Sequence, residues 1–283
     1  MITNPNVKVN LGLNVLGERP DGYHDIETLF YPYFDIKDVL EITSGEDFSH
    51  TSASLFARYS ADEGTLAQAI TDDGKLMITI AREEGVDWDP LTDLCANAYR
   101  LLSDDFNLPV VRIFLEKLAP VGAGLGGGSA DAAFTLKMLN EMCALGLSEK
   151  RLCDYASRLG SDCSFFIYDK PMLGIGRGEI LTSYPLDLPS KGYDLKVIVP
   201  EGIAVSTAEA YKGLSPQPPT SALSDVLAMP VDEWKQSLKN DFEPTVFAKH
   251  PELSAIKQSL YDSGAAYASM SGSGSALFAI YKA

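Results

Sequence analysis

Hydrophobic and polar residues alternate along the first segment of the chain. Such alternation predicts a half-buried β-strand, whose successive side chains point to opposite faces. The apolar positions are Val7, Val9, Leu11, Leu13 and Val15, and the intervening ones are Lys8, Asn10, Gly12 and Asn14. Because residues two apart share a face, Lys8 and Asn10 point the same way. A turn centred on Asp21 and Gly22 then leads into a second extended segment over 26–36.

The middle of the chain is predicted to run helix, strand, glycine-rich loop, helix, helix. Apolar residues recur at helical spacing in each predicted helix and alternate in the strand. The first helix is expected over 89–102, with Pro90 near its start, and the strand over 111–116. The loop covers 119–129. The second helix is expected to begin at Ser129 or Ala130 and to stop at Gly146, and the third is expected to be capped by Ser148 and ended by Gly160. Serine is a favourable helix cap, and glycine commonly follows a helix end.

The last third of the chain predicts a second group of helices and strands. Residues 169–191 are rich in glycine and proline, which is typical of a boundary between domains. The elements expected beyond it are a strand at 195–199, helices at 207–212, 222–238 and 252–261, and strands at 265–270 and 276–281. We therefore predict two domains, covering residues 1–168 and 169–283.

Composition narrows the class of protein. Of the 283 residues, 46% are hydrophobic and 22% are charged, as in ordinary globular proteins. The 39 acidic residues outnumber the 23 basic ones and give a formal net charge of −16, which disfavours nucleic acid and anionic membrane surfaces as partners. The four cysteines form no C-x-x-C pair, so a zinc site is not expected. The sequence shows no leader peptide and no membrane-length apolar run, which favours a cytoplasmic protein.

The glycine-rich loop is the densest chemical signal. Five glycines fall within the seven residues from Gly122 to Gly128, directly before a predicted helix. Glycine allows a ligand to approach the backbone closely, and a helix N-terminus attracts anions, so the loop suits phosphate. A flexible turn is the plainer alternative. A Walker loop is excluded because Gly128 stands where lysine is required, and the dinucleotide pattern lacks a following strand with an acidic residue.

Several segments together resemble the GHMP kinases. The loop Pro120–Ala130 is similar to their phosphate loop, and 7–11 and 268–274 resemble their first and third motifs. Within the superfamily, the chain is most similar to the branch whose substrate is a cytidine diphosphate ester of methylerythritol. The segments that carry this closer similarity are K-V-N-L at 8–11, R-P-D-G-Y-H at 19–24, L-G-S-D-C-S-F-F at 159–166, G-E-I-L at 178–181 and N-D-F-E at 240–243.

The resemblance implies an α+β fold and a reaction. The first domain would be the nucleotide-binding α/β domain with the phosphate loop, and the second would be ferredoxin-like. The implied activity is ATP-dependent, Mg²⁺-requiring phosphorylation of the substrate 2-hydroxyl, a step of non-mevalonate isoprenoid biosynthesis. The partner would be this small molecule, with neither nucleic acid nor membrane involved.

The resemblance also implies site residues. Lys8 and Asp162 would be catalytic, with Asp162 accepting the hydroxyl proton and Lys8 orienting and activating it. The nucleotide would contact Lys117, Pro120, Val121, Gly122, Ala123, Gly124, Leu125, Gly126, Gly127, Gly128, Ser129 and Ala130. The substrate would contact Asn10, Tyr23, His24, Thr207 and Tyr211, with the two tyrosines as walls for the cytosine. No residue is assigned as a metal ligand.

Taken without the resemblance, these residues allow plainer readings. Lys8 could lie on a solvated strand face, and Asp162 could simply cap a helix or turn. Tyr23 and His24 would fit a surface hairpin, and Tyr211 would fit a core. Another GHMP small-molecule kinase and a non-catalytic nucleotide sensor also remain open. Asp93 stands where the family usually has asparagine on the adenine side, so we assign it no nucleotide contact.

Overall fold

The chain divides into two compact units in the computed structural model, which describes residues 1–45, 49–59, 64–214, 216 and 219–283. Unit 1 comprises residues 1–7, 33–121 and 126–169. Unit 2 comprises residues 8–32, 122–125 and 170–283. Each unit is therefore assembled from separate stretches of chain. The division of the chain at 168/169 into two functional domains stays a prediction.

Unit 1 contains a five-stranded sheet in the order β1-β4-β7-β6-β5. Its strands are β1 (Ile2–Thr3), β4 (Val39–Ser44), β5 (Leu66–Ile70), β6 (Leu76–Ala81) and β7 (Val111–Glu116). β6 and β7 are parallel, whereas the other neighbouring strands are antiparallel. The central strands bury their branched residues, as Ile42, Ile78 and Ile113 show. The predicted strand at 111–116 is confirmed, and it leads directly into the glycine-rich loop.

The helices of unit 1 pack on one another and on this sheet. They are α1 (Ser52–Tyr59), α2 (Leu94–Ser103), α3 (Gly127–Met142), α4 (Glu149–Leu159) and α5 (Cys163–Tyr168). The predicted Ser148 cap of α4 is confirmed, since its hydroxyl accepts a hydrogen bond from the backbone of Arg151. α3 begins two residues earlier than predicted and ends before Gly146 is reached, because Ala144 already adopts a positive φ of 50°.

Asp93 marks the true start of α2. Residues Pro90–Thr92 form a short 3₁₀ turn, and the Asp93 carboxylate then caps the helix by accepting a hydrogen bond from the backbone of Cys95 at 2.8 Å. Its second oxygen accepts the indole N–H of Trp88 at 3.2 Å. The carboxylate at this position therefore stabilises the start of α2 and holds the Trp88 side chain in unit 1.

Unit 2 contains two antiparallel sheets. The first has the order β2-β3-β8-β9, formed by β2 (Asn6–Glu18), β3 (His24–Lys37), β8 (Met172–Gly176) and β9 (Ile180–Ser183); residues 8–18 and 24–32 of the two long strands belong to this unit. The second has the order β10-β12-β11, formed by β10 (Tyr193–Ile198), β11 (Tyr267–Met270) and β12 (Leu277–Lys282). The alternation that predicted strands at both ends of the chain is confirmed.

The helices of unit 2 are short apart from the last. They are α6 (Thr207–Tyr211), α7 (Leu223–Ala228), α8 (Trp234–Ser237), α9 (Glu243–Lys249) and α10 (Pro251–Asp262). The single helix predicted over 222–238 is wrong, because Pro230 follows the end of α7 and a 3₁₀ turn separates α7 from α8. Proline lacks an N–H and clashes with the preceding turn, so it ends a helix. None of the helices that the structure describes combines the length and apolar character of a membrane crossing.

The glycine-rich segment after residue 169 forms a hairpin. β8 and β9 pair with each other, and β8 pairs with β3 so that Gly174 lies opposite Thr28. A side chain at Gly174 would lie 2.6 Å from the ring of Phe30, which explains the glycine. Close packing of a strand against an aromatic ring is therefore one reason for glycine at position 174, and the domain boundary stays a prediction.

Candidate functional site

The ammonium group of Lys8 is buried in unit 2. Its side chain extends from β2, and the residue is only 3% exposed. Nζ donates hydrogen bonds to Oδ1 of Asn10 at 2.6 Å and to the carbonyl oxygen of Gly124 at 3.0 Å. It also lies 5.6 Å from the ring centroid of Phe30. The alternative that Lys8 lies on a solvated strand face is therefore wrong. The prediction that Lys8 and Asn10 share one face of the strand is confirmed.

Asn10 is fixed in turn by its neighbours on β2 and β3. Its amide nitrogen donates to the hydroxyl of Thr28 at 3.0 Å, and that hydroxyl donates to the carbonyl of Gly12 at 2.6 Å. All three groups are buried or lie in buried strands. This chain of bonds directs the Asn10 carbonyl oxygen at the ammonium of Lys8.

Two glycine-containing loops meet at Gly124. The hydroxyl of Ser271 donates to the carbonyl oxygen of Gly124 at 3.1 Å, and the backbone of Ala276 donates to Ala123 at 3.1 Å. Gly124 has a φ of +78°, and a Cβ there would lie 2.3 Å from the carbonyl oxygen of Ser271. No side chain can be added at this contact without moving backbone. The first and third predicted motifs are thus both joined to residues 122–125.

The N-D-F-E segment at 240–243 forms hydrogen bonds to the backbone of the third motif. The amide nitrogen of Asn240 donates to the carbonyl oxygens of Met270 and Gly272, each at 2.8 Å. The carboxylate of Glu243 accepts a hydrogen bond from the backbone of Met270 at 2.9 Å. Asn240 is 2% exposed, so these bonds form away from bulk water. The segment holds the loop at 271–274 in place.

The beginning of α3 supplies free backbone donors in unit 1. The helix starts at Gly127 after Gly126, whose φ of +75° ends the loop. The first intrahelical bond runs from Ala130 to Gly126, which leaves the preceding N–H groups of the helix without intrahelical acceptors. Such groups, together with the helix dipole, form an anion site. Ser129 lies within this first turn and does not cap the helix.

Asp162 directly precedes α5. Its backbone begins the helix, but its carboxylate accepts no hydrogen bond from the helix backbone in the described part of the chain. Its side chain therefore does not cap the helix, whereas the simpler interpretation of Asp162 as a turn residue is confirmed. Phe165 and Phe166 behind it are fully buried. Nearby, burial raises the pKa of the Cys163 thiol to about 12, which keeps this neighbour uncharged at neutral pH.

Lys117 takes part in a buried ion cluster of unit 1. Its ammonium contacts Asp38 at 2.5 Å and Asp131 at 2.6 Å, and the lysine side chain is only 4% exposed. The other oxygen of Asp38 accepts the backbone N–H groups of Leu118 at 2.6 Å and Ala119 at 2.7 Å. The Lys117 ammonium is therefore already paired with two carboxylates, and its predicted nucleotide contact stays a prediction. The cluster fixes the junction between β7 and the loop.

The two carboxylates compete for one ammonium. Burial lowers the pKa of Lys117, but the charges of Asp131 and Asp38 outweigh it and raise that pKa above its usual value. Burial together with the Asp38 charge outweighs Lys117 and raises the pKa of Asp131 well above its usual value. Oδ1 of Asp131 is buried and has no hydrogen-bond partner among the described residues. Asp131 is thus the weaker partner of the cluster.

The aromatic residues form two separate contacts in unit 2. The rings of His24 and Tyr211 stack with centroids 4.3 Å apart, and Tyr211 also meets Phe242 edge-on at 4.8 Å. Tyr23 is 54% exposed, and the guanidinium of Arg177 lies 4.9 Å from its ring centroid. The plain reading of Tyr23 as a surface-turn residue is confirmed. The structure joins Tyr211 to His24, whereas Tyr23 is joined to Arg177.

Thr207, the remaining predicted substrate residue, begins α6. Its hydroxyl lies 3.3 Å from the hydroxyl of Ser273 in the third motif. α6 is capped by Ser206, whose side chain accepts the backbone N–H of Glu209. Thr207 is therefore held beside the loop that contacts Gly124.

Proteins of known name match this chain along nearly its whole length. A 4-diphosphocytidyl-2-C-methyl-D-erythritol kinase of Bacteroides fragilis is 44% identical over 283 residues, which cover 99% of this chain and 92% of the relative. The chain belongs to the 4-diphosphocytidyl-2-C-methyl-D-erythritol kinase family. Family profiles described as GHMP kinases N terminal domain and GHMP kinases C terminal match residues 93–170 and 222–283.

Solved structures agree with this family of GHMP kinases. The crystal structure of a 4-(cytidine 5'-diphospho)-2C-methyl-D-erythritol kinase matches with a TM-score of 0.73 and 29% identity, covering 99% of this chain and 89% of the other. A mevalonate kinase of Methanococcus jannaschii matches with a TM-score of 0.63 at 13% identity, covering 99% of this chain and 90% of the other, and shows the shared fold alone. The predicted α+β GHMP kinase fold is confirmed.

Some residues make contacts near the predicted site residues that were not predicted from the sequence. Asp38 lies far along the chain from Lys117, and no local pattern marks it as a partner. Asp131 could have been found, because it lies on the helix directly after the loop. Arg177 was visible only as part of an unfamiliar glycine-rich spacer. Among the residues that the structure describes, no three histidine, cysteine or acidic side chains gather as a metal site.

Replacing Gly124 with alanine tests the contact between the two loops. We expect Gly124→Ala to lower the free energy of unfolding by about 1–3 kcal/mol beyond the strain of a left-handed residue, because backbone must move. We also expect a fall of about tenfold or more in kcat/KM for ATP, since the Gly124 carbonyl holds Lys8. Gly122→Ala is the matched control, with a φ of +73° and no heavy atom within 4 Å of the added Cβ. Urea unfolding that gave equal losses for both variants would contradict the contact. The kinetic loss is compared with the parent protein alone, because Gly122 belongs to the loop proposed to bind the nucleotide.

The buried cluster predicts a pH dependence of stability. The pKa of Asp131 is raised in the folded state, so the folded chain binds this proton more tightly than the unfolded chain. Its favourable contribution is complete below the unfolded pKa of about 4 and is lost as pH rises through the folded pKa. Asp131→Asn, which does not titrate, should therefore gain stability relative to the parent between pH 5 and pH 8. Chemical unfolding at pH 5 and pH 8 measures the free energies of unfolding, with Asp154→Asn, at an exposed carboxylate, as the control. A parent protein that gained stability relative to Asp131→Asn between these pH values would refute the prediction.

Proposed function

We propose that the chain is an ATP-dependent kinase that phosphorylates the 2-hydroxyl of 4-diphosphocytidyl-2-C-methyl-D-erythritol. The observation that carries the proposal is the buried Lys8 ammonium, held by Asn10 and by the glycine loop at Gly124. The ammonium is thereby held beside the loop to which the proposal assigns phosphate, where a positive charge offsets negative charge. The 44% identity to a kinase of this name supports the choice of substrate.

The nucleotide is assigned to Lys117 and to residues 120–130. The N–H groups at the start of α3 and the glycine loop suit the phosphates of ATP. Mg²⁺ belongs to the proposal as the ion that accompanies ATP, since Mg²⁺ commonly binds substrate phosphates with few protein ligands. The hydroxyl of Ser129, in the first turn of α3, would offer an oxygen ligand to this ion. When bound, the ion would neutralise phosphate charge.

Asp162 and Lys8 are assigned to the chemistry. Asp162 accepts the proton of the 2-hydroxyl, the hydroxyl oxygen forms a bond to the γ-phosphorus, and the bond from that phosphorus to the departing ADP oxygen breaks. Lys8 orients the hydroxyl and offsets negative charge on the transferring group. The formal charge of −16 makes such local positive groups necessary for two anionic ligands.

The substrate end is assigned to Asn10, Tyr23, His24, Thr207 and Tyr211. Cytosine is well held by aromatic stacking together with hydrogen bonds to its edge. The His24–Tyr211 stack and the exposed Tyr23 ring supply such surfaces. Thr207 and Asn10 each lie beside the loops around Gly124, where the methylerythritol hydroxyls would be bound. A cytoplasmic location stays a prediction.

A substrate panel tests the proposal. With ATP and Mg²⁺, we expect ADP release with 4-diphosphocytidyl-2-C-methyl-D-erythritol and none above background with mevalonate or homoserine. Turnover of only one of the latter would identify a different GHMP kinase activity. ATP binding without turnover of any of the three would leave the chain as a nucleotide sensor and refute the proposal.

The assigned chemistry predicts the effect of two substitutions. Asp162→Asn and Lys8→Ala should each lower kcat by about 10²-fold or more, because each removes a positioned proton acceptor or a charge from the reacting groups. Asp154→Asn, an exposed carboxylate on α4, and Lys282→Ala, an exposed lysine, are the controls. Steady-state kinetics on folded variants gives the comparison, and near-normal turnover in Asp162→Asn would remove it as the base.

A further inference from the structure

Arg177 lies in the turn between β8 and β9, beside the turn that carries Tyr23. Gly176 pairs with Ile26 at the end of the β3–β8 ladder, and Arg177 is the next residue along the chain. The hairpin is held there tightly, since side chains at Gly174 and Gly178 would lie 2.6 Å and 3.2 Å from the ring of Phe30. The position of Arg177 is therefore set by packed strands.

The guanidinium of Arg177 covers one side of the Tyr23 ring. Its central carbon lies 4.9 Å from the ring centroid, within the range of a cation–π contact. Tyr23 is still 54% exposed, so much of the ring remains open to a ligand. A base stacked on Tyr23 would lie within the length of one nucleotide from this positive charge.

Arg177 and Arg19 both lie near Tyr23, but they differ in the distances to their carboxylate partners. Arg19 is bound to Asp25 at 2.7 Å and to Asp21 at 3.2 Å, both hydrogen-bond distances. Arg177 lies 3.7 Å from Glu179, beyond a hydrogen bond, and its side chain is 31% exposed. The other oxygen of Glu179 accepts the backbone N–H of Arg177 at 2.7 Å. Among the described residues, the guanidinium of Arg177 makes no hydrogen bond to an acceptor, although the charges of Glu179 and Asp21 lie near it, so its donors can bind an anion.

We propose that Arg177 is a specificity-determining residue that binds the diphosphate of a cytidine diphosphate ester stacked on Tyr23. The inference rests on the proposed function and assigns a role to a residue outside that site assignment. An aromatic ring accepts a pyrimidine with or without phosphates, whereas a guanidinium binds phosphate oxygens through paired donors. In a chain with a formal charge of −16, recognition of a diphosphate needs such a local cation.

A purely structural role makes a different prediction. If Arg177 only stiffened the Tyr23 ring, its loss would weaken cytidine and cytidine diphosphate equally, because both carry the same base. If it binds the diphosphate, its loss weakens cytidine diphosphate alone. The ratio of the two affinities therefore separates charge recognition from support of the ring.

Calorimetric titration with cytidine and with cytidine 5'-diphosphate tests the proposal on the full chain. For Arg177→Gln we expect cytidine diphosphate to bind about tenfold or more weakly, with cytidine unchanged within about twofold. Arg177→Lys should fall between, because it keeps the charge and loses the planar donors. Lys282→Gln, whose ammonium pairs with Asp232 at 2.8 Å, removes the same charge from the surface and should leave both affinities unchanged. In turnover, the KM for the cytidylyl substrate should rise while the KM for ATP stays constant.

The outcomes distinguish this inference from the function on which it rests. Equal losses for both ligands, or no loss for cytidine diphosphate, in Arg177→Gln would overturn the role of Arg177 and leave the kinase assignment intact. A parent protein that binds neither cytidine nor cytidine diphosphate would overturn the proposed substrate, and the role of Arg177 with it. A fall as large in Lys282→Gln as in Arg177→Gln would assign the effect to overall charge and overturn specific recognition.

Discussion

The buried ammonium of Lys8 is the constraint on which the arrangement of unit 2 depends. An ammonium removed from water must find acceptors, and a strand cannot provide them from its own backbone, which is already paired in the sheet. Asn10 and the carbonyl of Gly124 meet this need. To bring that carbonyl close, residues 122–125 must approach β2 and the loop at 271–274. Glycine at 124 then follows from the 2.3 Å that a Cβ would leave to Ser271.

The two buried lysines, Lys117 and Lys8, connect different parts of their units. Lys117 is paired with two carboxylates, so the cluster in unit 1 carries no surplus positive charge. Lys8 donates to an amide oxygen and a peptide carbonyl, which anchor its ammonium to the glycine loop. Two carboxylates thus hold the ammonium in unit 1, whereas these two hydrogen bonds of Lys8 tie a strand to a loop in unit 2.

Patterns carried by neighbouring residues were predictable from the sequence. The alternation at 7–15 gave β2 and placed Lys8 beside Asn10, and Ser148 marked the start of α4. Contacts between distant residues were not predictable, as the pairing of Asp38 with Lys117 shows. Pro230 was overlooked within a helical pattern that it divides. For Asp162, Tyr23 and Tyr211, the sequence supplied the candidates, while the family resemblance supplied the roles, because local spacing does not determine what a side chain binds.

The interleaving of the two units limits how this protein can change in evolution. The chain passes from one unit to the other at 7/8, 32/33, 121/122, 125/126 and 169/170. A unit encoded by one contiguous stretch can be exchanged between genes by a single recombination event, but neither unit here is such a stretch. A gene fragment ending near residue 169 would carry the Lys8 strand without the β10–β12 sheet of its own unit. New substrate preferences in such a chain must therefore arise by substitution within loops and turns, because the shuffling of whole units would separate the residues that hold each unit together.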